Sequence, residues 1–366
     1  MKLRLLSALA AAVMLLPTNS RADHHEEKSN VDSESVWVTS IAPCEGGFVV
    51  GTATGLLLRP GAVSRVVADK VNEFETLYEH PAAVWTVATT SDKKRIASSD
   101  YRGNLIVYDV ASKEPKTHEA AFERWCQSLC VSPDDQFLVA GNESGKVFKW
   151  SLQEGKVAKT VELGGASVTC LAFSPDGTQV AASDGSGKVH LLKWPELESV
   201  GTISVGEETA WCVAYASDSK RVFVGSGDRK LYQADAKPDA KAESIATGTD
   251  WITRIAVSES GEIAASEIGG RIHFASGGNL TTIGAESGVW ALCFSGPGKL
   301  LVGTRKNGIL TAGQTWTLTQ ATSVETEQED SDEAEDSSDS ESEGSESEDG
   351  ESEGSETEDG KASEEE

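Results

Sequence analysis

Between residues 37 and 320 the chain alternates short apolar runs with clusters of Ser, Asp, Asn and Gly, and the alternation itself recurs. The segment CLAFSPDGTQVAASDGSGKVHLLKW (170–194) returns as LCVSPDDQFLVAGNESGKVFKW (129–150) and as VATTSDKKRIASSDYRGNLIVYD (87–109). Each copy reads as an apolar strand, a Ser-Pro-Asp-Gly type turn, a second apolar strand, a short polar turn ending in Gly, and a third strand with an aromatic end. Turn residues that tolerate unusual backbone angles separate alternating runs, which is the pattern of successive hairpins. The residue before the third strand sets the period: Gly55, Gly103, Gly145, Gly187, Arg229, Gly270 and Gly308, at spacings of 48, 42, 42, 42, 41 and 38. A single four-stranded sheet cannot bury both of its faces, whereas a ring of such sheets can. The pattern therefore predicts an all-β fold, a seven-bladed β-propeller with four-stranded antiparallel blades over residues 36–320. Arg229 breaks the glycine rule, and Gly227 is expected to serve blade five instead. Blade one begins its inner strand at Trp37, and blade seven finds a fourth strand at Trp316–Gln320, so the ring should close without an N-terminal strand. The wide first spacing is assigned to a linker at Asp69–His80.

These units resemble the WD-repeat (WD40) propellers. The likeness rests on the turns Ser174–Gly177 and Ser132–Asp135, the turn at Ser98–Gly103, and the strand ends Tyr108-Asp109, Trp150-Ser151 and Trp194-Pro195. The Gly-His pair that opens typical repeats is absent, and only Tyr108-Asp109 approximates the eponymous Trp-Asp, so the likeness is to a divergent member. The resemblance implies a rigid platform for a protein or peptide partner, and a monomeric ring. It also implies a buried hydrogen-bond set that blade two alone can assemble, from Asp100, His80, Ser98 or Ser99, and Tyr108. Elsewhere the blades are expected to be held mainly by apolar packing.

Charge sharpens this picture. The net charge is −27, but residues 322–366 hold 22 acids against Lys361 alone, leaving −6 for the rest. The body thus offers no basic stripe to replace phosphate counterions, which excludes a general nucleic-acid binder. The segment 321–366, with its repeat ESEGSESEDG and ESEGSETEDG, cannot bury enough apolar surface to order and reads as a disordered acidic tail. Its expected roles are solubility, weak binding of divalent cations, or contact with a basic surface. At the other end Lys2 and Arg4 precede an apolar run, Leu5 to Leu16, and a small-x-small site at Ser20-Arg21-Ala22. Residues 1–22 therefore read as a secretory signal peptide and 23–35 as a disordered leader, with a secreted or periplasmic product and no transmembrane segment. Six cysteines could pair in such a compartment, but their spread favours small buried strand residues in reduced form.

The candidate chemistry lies in the tryptophans. Trp85, Trp211 and Trp290 follow the first apolar residue of their inner strands, and Trp37, Trp125 and Trp251 stand two positions earlier. An offset of two preserves strand parity, so the six should rim one channel mouth as a broken aromatic ring. Such a ring suits partner docking, or the packing of neighbouring blades. No hydrolase elbow, zinc helix or phosphate-cradling loop is present; the chain reads as non-enzymatic and without a cofactor. The rival reading is a hydrolase or lactonase-like propeller with a channel site, and the acids Glu123, Glu207, Glu208, Asp250 and Glu286 near one face leave room for a cation. Cleavage after Ala22 would expose Asp23-His24-His25, whose amine, amides and imidazole make a square-planar nitrogen set for Cu(II) or Ni(II).

Overall fold

The structure, a computed structural model, describes residues 36–55, 57–276, 279–313 and 317–320. The signal and leader segments, Asp23, His24 and His25, Trp316 and the acidic tail lie outside the described residues. Twenty-eight strands form seven four-stranded antiparallel sheets, each a meander of consecutive strands. Each inner strand packs beside the next, and that of blade seven (Val289–Gly296) returns to that of blade one (Trp37–Cys44). The expected seven-bladed all-β propeller is thus what the chain forms. Blade seven completes itself with Leu318–Gln320, paired to Ile309–Ala312.

The core lies between blades. Val189 and Leu191 of blade four pack with Val213, Val222 and Val224 of blade five, and comparable clusters fill the other junctions. Two parts of the turn chemistry recur. At the first turn of the blade a hydroxyl donates to the Asp two residues on: Thr90 to Asp92 at 2.7 Å and Ser174 to Asp176 at 2.6 Å, which is why Ser-x-Asp recurs there. At the end of the second strand Asp100, Asn142 and Asp184 each accept two main-chain N–H bonds with Oδ1, closing the following turn.

Three expectations need correction. Asp69–His80 is no linker: Lys70–His80 is the outer strand of blade one, an 11-residue strand paired to Gly61–Val67. Two register shifts in that pairing, at Val63/Ser64 and Arg65/Val67, interrupt the alternation that would have marked it. Arg229, not Gly227, occupies the left-handed position of its turn, with φ 72° beside 79° at Gly187 and 78° at Gly145. The turn geometry is imposed by the strands it joins and recruits whatever residue stands there. Finally, a buried His–acid pair is not confined to blade two. His190 bonds Asp184 at 2.8 Å and His273 bonds Glu267 at 2.8 Å, all four side chains being buried.

In blade two His80 bonds Ser98 through Nε2 at 2.8 Å and Asp100 through Nδ1 at 3.3 Å. Ser99 instead donates to the Asn104 carbonyl at 2.9 Å. The aromatic hydroxyl on Ser98 is that of Tyr78, at 3.0 Å. Tyr108 is buried and stacks on Tyr78 with 5.1 Å between centroids, so the preceding outer strand supplies the hydroxyl expected from the third. Burial works to raise the Asp100 and Asp184 carboxyls, but bonds from the paired His and the turn amides outweigh it and hold both below the usual carboxylate range.

Candidate functional site: the face where the inner strands begin

All seven inner strands carry a β-bulge near their start. The register skips Thr39, Trp85, Gln127, Thr169, Trp211, Thr253 and Trp290. A bulge inserts an unpaired residue and re-aims its side chain, so each blade presents one such side chain on the same face. Where the bulge residue is Trp, the position two before it is small (Ala83, Thr209, Gly288). Where that earlier position is Trp, the bulge holds Thr39, Gln127 or Thr253.

The two kinds of tryptophan consequently meet across blade junctions. Trp290 of blade seven stacks on Trp37 of blade one at 6.2 Å and 6°. Trp85 of blade two meets Trp125 of blade three edge-on at 4.9 Å, and Trp211 of blade five stacks on Trp251 of blade six at 5.7 Å. Trp85 also reaches Trp290 at 5.6 Å, although blade one separates their blades. Tyr101 adds a ring to Trp125 at 5.0 Å, and the exposed Arg305 lays its guanidinium 4.7 Å from the Trp37 centroid. The result is a run of five rings and a cation over blades seven to three, plus a separate pair over blades five and six. Trp37 is buried and the other five tryptophans are half-buried. The indole N–H groups of Trp125, Trp211 and Trp290 are shielded from water and have no acceptor among the described residues. Trp150 and Trp194, at strand ends, pack against Phe122 and Phe173 respectively.

One residue after each bulge stands a second ring of positions: Ser40, Thr86, Ser128, Cys170, Cys212, Arg254 and Ala291. Several of these side chains clip one blade to the next. Ser40 accepts the Val87 N–H and Ser128 the Leu171 N–H, while the Cys170 thiol points to the Val213 carbonyl. Arg254 donates through Nε to the Trp290 carbonyl at 2.7 Å and through Nη1 to the Thr253 carbonyl at 2.8 Å. It is the one charged residue in the seven inner strands. Desolvation by the strands around it lowers its pKa, yet among the described residues no carboxylate lies within ion-pairing distance. Its place in the pattern was legible in ITRIAV (252–257), where a lone charge interrupts a run that is uncharged in the other blades.

Glu123 is engaged by Lys146 at 2.7 Å and Asp250 caps the Trp251 N–H at 2.8 Å. Among the described residues no three His, Cys, Asp or Glu side chains gather as metal ligands, and no helix is long and apolar enough to cross a membrane. All six cysteines are free thiols. Cys126 is pushed up to about 12 by burial.

The family model described as WD domain, G-beta repeat matches residues 114–151 and 156–191. Each match begins on the outer strand of one blade, Glu114–His118 or Lys156–Glu162, and runs through the first three strands of the next. Autophagy-related protein 16 of Arabidopsis thaliana is 30% identical over 99 residues, which are 26% of this chain and 19% of that protein. The chain thus spans about a fifth of the length of the curated relative it matches. Two matched WD repeats, each straddling neighbouring blades, lie within a closed ring of seven four-stranded sheets, consistent with a WD-repeat β-propeller.

Proposed function

We propose that this propeller is a non-enzymatic platform that captures a protein or peptide partner on the face where its inner strands begin. WD-repeat propellers act as interaction platforms, and here the carrying observation is the run Trp37, Trp290, Trp85, Trp125 and Tyr101. Clustered aromatic side chains, most of them half-buried, are the composition of a binding hot spot, since they offer large rigid area at small entropic cost. The remaining features extend this reading. The signal-like residues 1–22 support a secreted or periplasmic protein. The 22 acids of the tail suit solubility, or weak contact with divalent cations or a basic surface.

Affinity capture with the intact chain, a chain lacking residues 322–366, and a Trp85→Ala/Trp211→Ala double variant tests the assignment. The intact and tail-less chains should retain the same partner, and the double variant should lose it while melting as a folded protein. Retention by the double variant and loss with the tail would move the function to the polyanion.

A further inference from the structure

Blades four and six carry the same Thr and Ser pair at matching positions, and only one of the two pairs is satisfied. In blade four Thr169 Oγ1 bonds both Ser183 Oγ at 2.9 Å and the Ala210 carbonyl of blade five. Blade one treats its bulge threonine likewise, Thr39 Oγ1 donating to the Val84 carbonyl of blade two at 2.7 Å. In blade six, Thr253 Oγ1 and Ser266 Oγ are buried without a partner. Ser266 is the register partner of Arg254. Ser287 Oγ and Trp290 Nε1, at the entry to blade seven, are also unpartnered. Among the described residues, four of the seven unpartnered buried side-chain atoms therefore fall in the stretch 253–290, which also holds the one charged residue of the inner strands.

The inventory has a direction. A guanidinium and an indole N–H can only donate, and a hydroxyl can donate. Arg254 spends two donors on main-chain carbonyls, which satisfies geometry but leaves its charge without an opposite charge. A half-buried cation with no opposite charge among the described residues is complementary to an acceptor-only anion, and guanidinium favours planar oxyanions that it can grip with two N–H groups.

We propose that Arg254 is a carboxylate-recognising site between blades six and seven, on the face where the inner strands begin, which takes an Asp or Glu carboxylate of a bound peptide. The assignment rests on the partner-binding reading of the same face and names the chemistry of the partner. The aromatic run supplies area, and Arg254 supplies selection for an acidic peptide. It does so against the overall field, since a chain of net charge −27 repels acidic peptides in general.

The test uses the full chain and arrays of capped octapeptides, randomised except for a fixed central Glu, Asp, Gln or Asn, at about 0.15 M salt so that long-range repulsion is screened. The Glu and Asp pools should be retained about tenfold more than the Gln and Asn pools, as expected for one charge-assisted pair. That ratio should fall to about one for Arg254→Met and persist in part for Arg254→Lys. Equal retention of Glu and Gln pools by the unaltered chain, retention of no pool, or a preference that survives Arg254→Met would each overturn the proposal. A phosphoserine pool retained in place of the Glu pool would also overturn it, in favour of phosphate. The comparison of pools on the unaltered chain stands even if Arg254→Met fails to fold. The platform reading fails separately: in that case Trp85→Ala/Trp211→Ala leaves retention of every pool unchanged, while the Glu to Gln ratio still reports on Arg254.

Discussion

Gly187 and Arg229 occupy the same left-handed turn position in neighbouring blades, and exchanging their chemistry should move stability in opposite directions. Gly187 has φ +79°, and a Cβ there would lie 2.3 Å from the Gly206 carbonyl oxygen and 2.7 Å from that of Glu208. A left-handed L-residue costs roughly 1–2 kcal/mol, and displacing main-chain atoms that cannot rotate away adds about 1–3 kcal/mol by analogy with overpacked cores. Gly187→Ala should thus lose about 2–5 kcal/mol, with a melting temperature lower by roughly 5–15 °C at the usual conversion for domains approaching this size. Arg229 already carries the backbone cost at φ 72°, its side chain is exposed, and it makes no ion pair among the described residues. Arg229→Gly regains the roughly 1–2 kcal/mol of backbone strain and gives back about 0.5–1 kcal/mol through the freer unfolded chain. The net is a small gain, near 0.5 kcal/mol. Urea unfolding followed by tryptophan fluorescence reads both, provided the slopes match that of the parent. A Gly187→Ala midpoint within 0.5 kcal/mol of the parent, or a clear loss in Arg229→Gly, would refute the claim that the turn dictates the backbone at this position.

Tyr78→Phe should cost about 1 kcal/mol by leaving Ser98 one partner short, whereas Tyr108→Phe should cost less than half of that; the reverse order in denaturant melts would restore Tyr108 to the hydrogen-bond set. Asp184→Ala removes the partner of buried His190 and the cap of the following turn, and should cost about 3–5 kcal/mol. Because the folded Asp100, Asp184 and Glu267 carboxyls are held below their ordinary values, their contribution is complete above the unfolded range near pH 4 and is lost as pH falls through the lowered folded values. Melting temperature should therefore drop on acidification below about pH 4, and an unchanged slope in Asp184→Asn would remove that pair from the account. The buried Cys126 and Cys212 thiols should react with a thiol reagent only after unfolding, and melting should be indifferent to reductant; a reductant-sensitive melt would show a disulfide where the structure has free cysteines.

The architecture was legible because its causes are local. A blade is a meander, so each strand pairs with its neighbour in sequence, and the period of turns reports the number of sheets directly. Ser-x-Asp at the first turn and Asp or Asn three residues before Gly at the second are short-range devices, written in residues only a few positions apart. What misled was also local in appearance: Lys70–His80 hid as a linker because two register shifts broke its alternation, and Arg229 looked wrong for a position that the flanking strands nonetheless force on it.

The candidate site belongs to a different level. The sequence alone determined that six tryptophans gather near the start of the inner strands, and that most of the net negative charge lies in the last 45 residues. It could not determine that a bulge in every blade turns Trp85, Trp211 and Trp290 toward the tryptophans of the next blade, or that Tyr78 rather than Tyr108 completes the set on Ser98. Nor could it show that Thr253 goes unbonded where Thr169 is satisfied. Each of these is a contact between blades or between outer and inner strands, set by how neighbouring sheets pack around the ring, and such distances have no counterpart in the spacing of residues along the chain.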